Sequence, residues 1–218
     1  MKKIYALPSA RPLTLDHTCK HDGPRLIAAF DFDGTLTSHD SFLAFIRYAC
    51  GAWAFWLGLL RYSPWLILMK LHLYSNGKAK QKVFSHFFKG MEIEEFDALC
   101  HAFARDNQHL LRPLGQEAIG TARKEGAEVL VVSASIDNWV KPFFKDDVIV
   151  LGTQVEISEG RLTGRFLTKN CYGQEKVNRV LECHPNRSEY ILIAFGDSRG
   201  DKELLAFADE AHYKPFRL

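Results

Sequence analysis

Cysteine is scarce in this sequence and shows no pairing pattern. Its five cysteines, Cys19, Cys50, Cys100, Cys171 and Cys183, are an odd number with no C-x-x-C spacing. That argues against a disulfide framework or a cysteine zinc site, and the thiols read as free groups of a reducing compartment. Charge of one sign is also in short supply. The formal net charge is +2 over 218 residues, so no electrostatic case exists for nucleic acid as a partner. Internal repeats, low-complexity tracts and long linkers are missing. The first two dozen residues hold Lys2 and Lys3 but no apolar core. Residues 1–24 are therefore expected to be a loosely ordered extension, with no signal peptide.

What is present is concentrated at Leu26–Thr37, where an apolar run ends abruptly in Asp31-Phe32-Asp33-Gly34-Thr35. The run has the length and turn-bounded character of a buried strand. Carboxylates two residues apart on an extended chain point the same way. Two like charges at the mouth of a sheet call for a cation or a shared proton between them. Asp-Gly is also a common hairpin turn, but no second alternating strand follows at hairpin distance. Instead Thr37–Ser41 is polar and leads into a helix-like apolar stretch.

From Ser41 to about His109 the pattern is helical throughout, densest in Phe, Trp, Leu and Ile between Phe42 and Tyr74. Asn76-Gly77 breaks that stretch, and Lys78–Phe88 and Ile93–Asn107 read as further amphipathic helices. Another helix opens at Arg112-Pro113 and closes at Gly126. Strands are then expected at Glu128–Ser133, Val148–Leu151 and Glu189–Phe195, with a hairpin around Glu159-Gly160. Helices are expected near Gln174–Cys183 and Lys202–Ala208. The expected fold is α/β, a doubly wound parallel sheet with an all-helical insert after strand one. The expected division is a core of residues 25–40 and 111–218 with a helical cap of residues 41–110.

Ligands of open parallel sheets bind outside the carboxyl ends of the strands. Polar clusters stand at three such ends: Asp31 with Asp33, then Ser133, then Asp197 with Asp201. Lys176, near a helix start, would add a cation. Singly, each has an ordinary explanation. Ser133 and Asp197 suit helix caps, and Lys176 suits a solvated helix face. Together, in this order, they meet the needs of phosphoryl transfer. A carboxylate beside Mg²⁺ can act as nucleophile, and a second can move a proton. Hydroxyl, N–H and Lys groups can hold the equatorial phosphoryl oxygens.

These residues resemble the motifs of the haloacid dehalogenase superfamily. D-x-D-G-T is matched by Asp31–Thr35, the strand-end Ser by Ser133, the Lys by Lys176, and G-D-x-x-x-D by Gly196–Asp201. The resemblance covers about Leu26 to the C-terminus. It implies Asp31 as nucleophile, Asp33 as general acid and base, and Thr35, Ser133, Ala134 and Lys176 around the phosphoryl group. It also implies Mg²⁺ at Asp31, the Asp33 carbonyl and Asp197, with Asp201 in support, and a type-1 cap after motif one. The implied activity is hydrolysis of a small or lipid phosphate monoester through an aspartyl-phosphate.

Within the superfamily the chain is similar to subfamily IB. Asp40 falls where phosphoserine phosphatases bind the substrate amine, and Lys82 is the candidate for the substrate carboxylate. However, Ser133-Ala134-Ser135 departs from their Ser-Gly-Gly. Asp40-Ser41-Phe42, the apolar cap and Cys171–Val177 resemble instead the bacterial phosphatidylglycerophosphate phosphatases of the superfamily. A phosphotransferase and a non-catalytic binding protein are the rival readings.

Residues 53–69 contain three of the four tryptophans, interrupted by Arg61 and Pro64. A spanning helix needs about 20 apolar residues. The segment reads as a buried cap helix pair, as an interfacial lipid-binding helix, or as a span. A cytoplasmic location is expected, at the inner membrane face where the cap meets lipid.

Overall fold

The computed structural model describes residues 24–71 and 73–217. The N-terminal extension, Pro24 apart, lies outside them, as does Cys19. Strand β1 (Arg25–Phe30) is central in a five-stranded sheet. It pairs in parallel with β2 (Glu128–Ile136) on one side and β6 (Tyr190–Gly196) on the other. Beyond these lie β3 (Val148–Thr153) and β7 (Glu210–Tyr213), giving the all-parallel order β3-β2-β1-β6-β7. Central strands covered on both faces must be apolar on both faces. Ile27, Ala28, Ala29 and Phe30 are accordingly all buried. The sequence reading had no strand at β7, a short polar edge strand of Glu-Ala-His-Tyr with no hydrophobic pattern to announce it.

Helices α4 (Pro113–Lys124), α5 (Asp137–Val140), α6 (Gln174–Cys183) and α7 (Lys202–Phe207) connect the strands. The helical insertion leaves the sheet after β1 and comprises α1 (Ser41–Lys70), α2 (Asn76–Phe88) and α3 (Ile93–Asp106). Its two stalks are tied together. Thr37 bridges Leu111, and Arg112 N–H donates to the Leu36 carbonyl at 2.7 Å. Asn76-Gly77 opens α2 where the sequence reading placed a break, with Ser75 at the cap position. Helix α1 is broken instead at Gly51, whose φ of 79° is open to glycine at no steric cost.

An aromatic cluster locks the insertion to the sheet domain. Trp139 of α5 is fully buried and stacks on Phe45 of α1, with centroids 4.7 Å apart. Phe45 in turn meets Phe88, Phe96 and Phe103 from α2 and α3. The hairpin β4 (Val155–Ser158) and β5 (Arg161–Phe166) also leans on the insertion. Leu162 exchanges hydrogen bonds with Gly90 and Met91, Arg161 pairs with Glu92, and Phe166 packs on Phe84.

Candidate active site

Residues just past β1 and β6 meet at one buried polar point, beside Ser133 of β2; the strand expected to end at Ser133 instead runs on to Ile136, past an irregularity in its pairing with β3. Asp31 follows directly from β1, and its N–H donates to the Phe195 carbonyl of β6 at 2.8 Å. The chain then turns tightly through Phe32–Leu36. Gly34 has φ +82°, and a Cβ there would lie 2.8 Å from Asp197 Oδ2. Glycine is required twice over, by conformation and by the approach of the second carboxylate.

Lys176, on the first turn of α6, is 2 % exposed. Its Nζ donates to Asp31 Oδ1 and to Asp201 Oδ1, each at 2.6 Å. Thr35 Oγ1 donates to Asp31 Oδ2 at 3.1 Å and to Asp197 Oδ1 at 3.3 Å. Asp201 Oδ2 accepts from the N–H groups of Asp197 and Ser198 and from the Ser198 hydroxyl, which fixes the turn after β6. Carboxylate oxygens of Asp31, Asp197 and Asp201 lie within 4.8 Å of one another. The Arg217 guanidinium, near the C-terminus, pairs with Asp197.

The electrostatics follow from this packing. Burial raises the Asp31 pKa from 3.8 to about 7, against the pull of Lys176, with Asp201 and Asp33 adding to the rise. Burial also penalises charge on Asp201. There the Lys176 charge and the hydrogen bonds from Lys176 and Ser198 outweigh it, and the pKa is lowered. Burial disfavours the Lys176 ammonium too, but Asp31 and Asp201 prevail and its pKa is raised. The cluster is a fixed cation held between two carboxylates, only one of which ionises easily.

Asp33 sits beside this cluster. Its Oδ1 accepts from the Ser41 N–H at 2.7 Å, and its Oδ2 from the Ser135 hydroxyl at 2.5 Å. Burial and then the Asp40 charge raise its pKa, against Lys80 and the two hydrogen bonds. A carboxyl so placed can hold a proton and release it. Ser133 is fully buried, and its Oγ accepts from the Ser135 N–H at 3.0 Å. The Ala134 carbonyl accepts from Thr153 Oγ1 at 3.1 Å.

Thus the structure gathers Asp31, Thr35, Lys176, Asp197 and Asp201 into direct contact, with Asp33 and Ser133 linked alongside through Ser135. Of the two expected selectivity residues, Asp40 stands at the edge of the site, close enough for its charge to act on Asp33. It is exposed and caps α1, its Oδ1 accepting from the N–H groups of Phe42 and Leu43. Lys82 lies on α2 of the helical insertion, with its ammonium 3.6 Å from the Trp65 ring centroid. The α2 cation whose charge acts on Asp33 is Lys80, two residues earlier. Sequence reasoning also passed over Ser41, Ser135 and Arg217. The extra Ser of Ser133-Ala134-Ser135 was the available signal for one of them.

The profile for haloacid dehalogenase-like hydrolases matches residues 28–206. Protein CicA of Caulobacter vibrioides is 37 % identical over 216 residues, covering 97 % of this chain and 94 % of that one. Among solved structures, a protein of unknown function from Bordetella pertussis Tohama I superposes with a TM-score of 0.76 at 21 % identity, covering 87 % of this chain and 89 % of that one. A substrate-bound phosphoserine phosphatase superposes with a TM-score of 0.58 at 17 % identity, covering 88 % and 87 %. The last two are likenesses of fold. From the profile match and the CicA relationship, on a sheet whose strand ends carry the matching residues, the chain belongs to the haloacid dehalogenase-like hydrolase family.

Proposed function

We propose that this protein is a Mg²⁺-dependent phosphomonoester hydrolase that works through an aspartyl-phosphate on Asp31. The observation that carries the reading is the bridging of Asp31 and Asp201 by buried Lys176 beside Asp197. Nucleophile, phosphate-binding cation and metal-binding carboxylates then share one point. The donor set suits the ion, being hard carboxylate oxygens that are buried and mutually within reach. Asp31, Asp197 and the Asp33 carbonyl would hold it, with Asp201 orienting the turn. Bound there, Mg²⁺ would supply positive charge to the phosphoryl oxygens and favour the ionised form of Asp31.

In the proposed reaction an Asp31 carboxylate oxygen bonds to phosphorus as the bond to the leaving oxygen breaks. Asp33 gives its proton to that oxygen. Asp33 then takes a proton from water as the water oxygen bonds to phosphorus, freeing phosphate and Asp31. Lys176 and Ser133 hold the phosphoryl oxygens. The Thr35 hydroxyl is already engaged by Asp31 and Asp197, which leaves the Thr35 contribution to its main-chain N–H, with Ala134 doing likewise.

A cleft of about 660 Å³ opens between the start of α2 and the loops before α6 and after β6; none of the residues that meet at Asp31 line it, and we assign it to the leaving group by its place between the insertion and the β6 turn. Lys78, Lys169 and Arg199 line it with Tyr74 and Tyr172. This cationic lining favours a phosphate monoester, small or lipid, that carries a further anionic group. The test is turnover of p-nitrophenyl phosphate with Mg²⁺, with EDTA, and in Asp31→Asn. Turnover should need the metal and vanish in the variant. A panel of phosphoserine, sugar phosphates, nucleotides and phosphatidylglycerophosphate then ranks substrates.

A further inference from the structure

The second arm of α1, beyond Gly51, is apolar on two faces. One face packs inward. Phe55 is buried, Tyr62 lies against His86 of α2 with ring centroids 5.2 Å apart, and Trp65 receives Lys82. The opposite face carries Trp53, Leu57, Leu60, Pro64, Ile67 and Leu71 at helical spacing of three and four. All are exposed: Trp53 by 85 %, Leu60 by 73 %, and Trp56 beside them by 59 %. A helix that is apolar all round has something over its second face.

Charge indicates what that cover is. Between Ser41 and Met91 the sequence has seven Lys or Arg and no Asp or Glu. All 26 acidic residues of the chain lie outside this segment. A surface of opposite charge that also accepts tryptophan and leucine is an anionic lipid bilayer. By length and composition, Ser41–Trp65 could cross a membrane. Its beginning is committed elsewhere, however. The Ser41 N–H holds Asp33, and Phe45 is fully buried on Trp139. The exposed arm alone also carries Arg61 at mid-length, which favours lying along the interface over spanning it.

We propose that the outer face of this arm docks the protein onto an anionic membrane surface. The arm leads through Leu73, itself exposed, to Tyr74, which lines the cleft described above. Docking therefore sets the cleft entrance beside the headgroups. Only this last step rests on the proposed phosphatase activity, and it assigns the substrate to a membrane-borne phosphate monoester.

The test is co-sedimentation of the full chain with vesicles of phosphatidylcholine, with or without about 30 % phosphatidylglycerol. The wild type is compared with Trp53→Glu/Leu57→Glu and with the conservative Trp53→Phe/Leu57→Ile. The wild type and the conservative pair should bind the anionic vesicles, and added salt should weaken them. The glutamate pair should bind at least about tenfold more weakly. Turnover of soluble p-nitrophenyl phosphate, read on the same samples, should be unchanged by either pair. Wild-type protein left in the supernatant overturns the proposal, as does binding that survives the glutamate pair. A wild-type dimer that the glutamate pair makes monomeric, without vesicle binding, assigns the face to a second copy and also overturns it. A wild type that binds the anionic vesicles but does not turn over p-nitrophenyl phosphate strikes the catalytic reading and leaves docking standing.

Discussion

Replacing Asp31 by Asn separates two opposing effects in the metal-free protein. Burial lifts the Asp31 carboxyl from 3.8 to about 7 in spite of Lys176. Between those values the folded chain keeps the proton that the unfolded chain has released. The stability this group contributes therefore falls as pH climbs through that window and is level above it. The rise is equivalent to roughly 4 kcal/mol at most. Relaxation around the charge brings the expected effect nearer to about 2 kcal/mol. Asn keeps the shape and can still meet Lys176 and Thr35, while Lys176 retains Asp201 at 2.6 Å. Asp31→Asn is thus expected to stabilise the protein in EDTA near pH 8 by about 2 kcal/mol, or roughly 4–8 °C in Tm. Near pH 3, below the unfolded value of 3.8, the gain should largely disappear. Scanning calorimetry at both pH values is the assay, and Mg²⁺ added near pH 8 should narrow the difference there by favouring the wild-type carboxylate. A variant destabilised equally at both pH values would refute the reasoning, because the Lys176 attraction would then exceed the burial penalty.

Three further substitutions probe the surrounding geometry. Asp33→Asn should slow hydrolysis of alkyl phosphates far more than phosphoenzyme formation from p-nitrophenyl phosphate, whose leaving group needs little protonation; rapid-quench kinetics compare the two. Ser135→Ala removes a hydrogen bond that favours the ionised Asp33. The Asp33 pKa should rise further, the alkaline limb of the kcat profile should move to higher pH, and kcat should fall about tenfold. Gly34→Ala puts a Cβ at φ +82° and 2.8 Å from Asp197 Oδ2. Its expected cost is about 1–3 kcal/mol in chemical denaturation, with loss of Mg²⁺-dependent turnover.

Legibility in the sequence followed locality. Asp31, Ser133 and Asp197 each follow an apolar run that is visible in one dimension. Their convergence follows from parallel pairing, as the register of Ala28 with Val129 and with Ile193 shows. Ser41 and Ser135 were not legible as partners of Asp33, because one lies at the start of the insertion and the other two residues past Ser133. Their meeting depends on how the insertion is seated by Phe45 and Trp139. Arg217 reaches Asp197 from the chain end, with no periodic pattern around it. Lys80 and Lys82, two residues apart on α2, face different ways: the charge of Lys80 acts on Asp33, and Lys82 lies over Trp65. The β4–β5 hairpin was recognisable from Glu159-Gly160, but its partner, the Gly90-Met91 edge, was not.

The central claim is a covalent phosphate on Asp31, and borohydride trapping tests it most directly. Protein mixed with Mg²⁺ and p-nitrophenyl phosphate is quenched within a turnover, reduced and digested with trypsin, which cuts after Arg25 and Arg47. The account predicts reduction at Asp31 alone within the 26–47 peptide, and none in Asp31→Asn. Wild-type turnover at full rate with Asp31 unreduced, or with the label on Asp33, would contradict it.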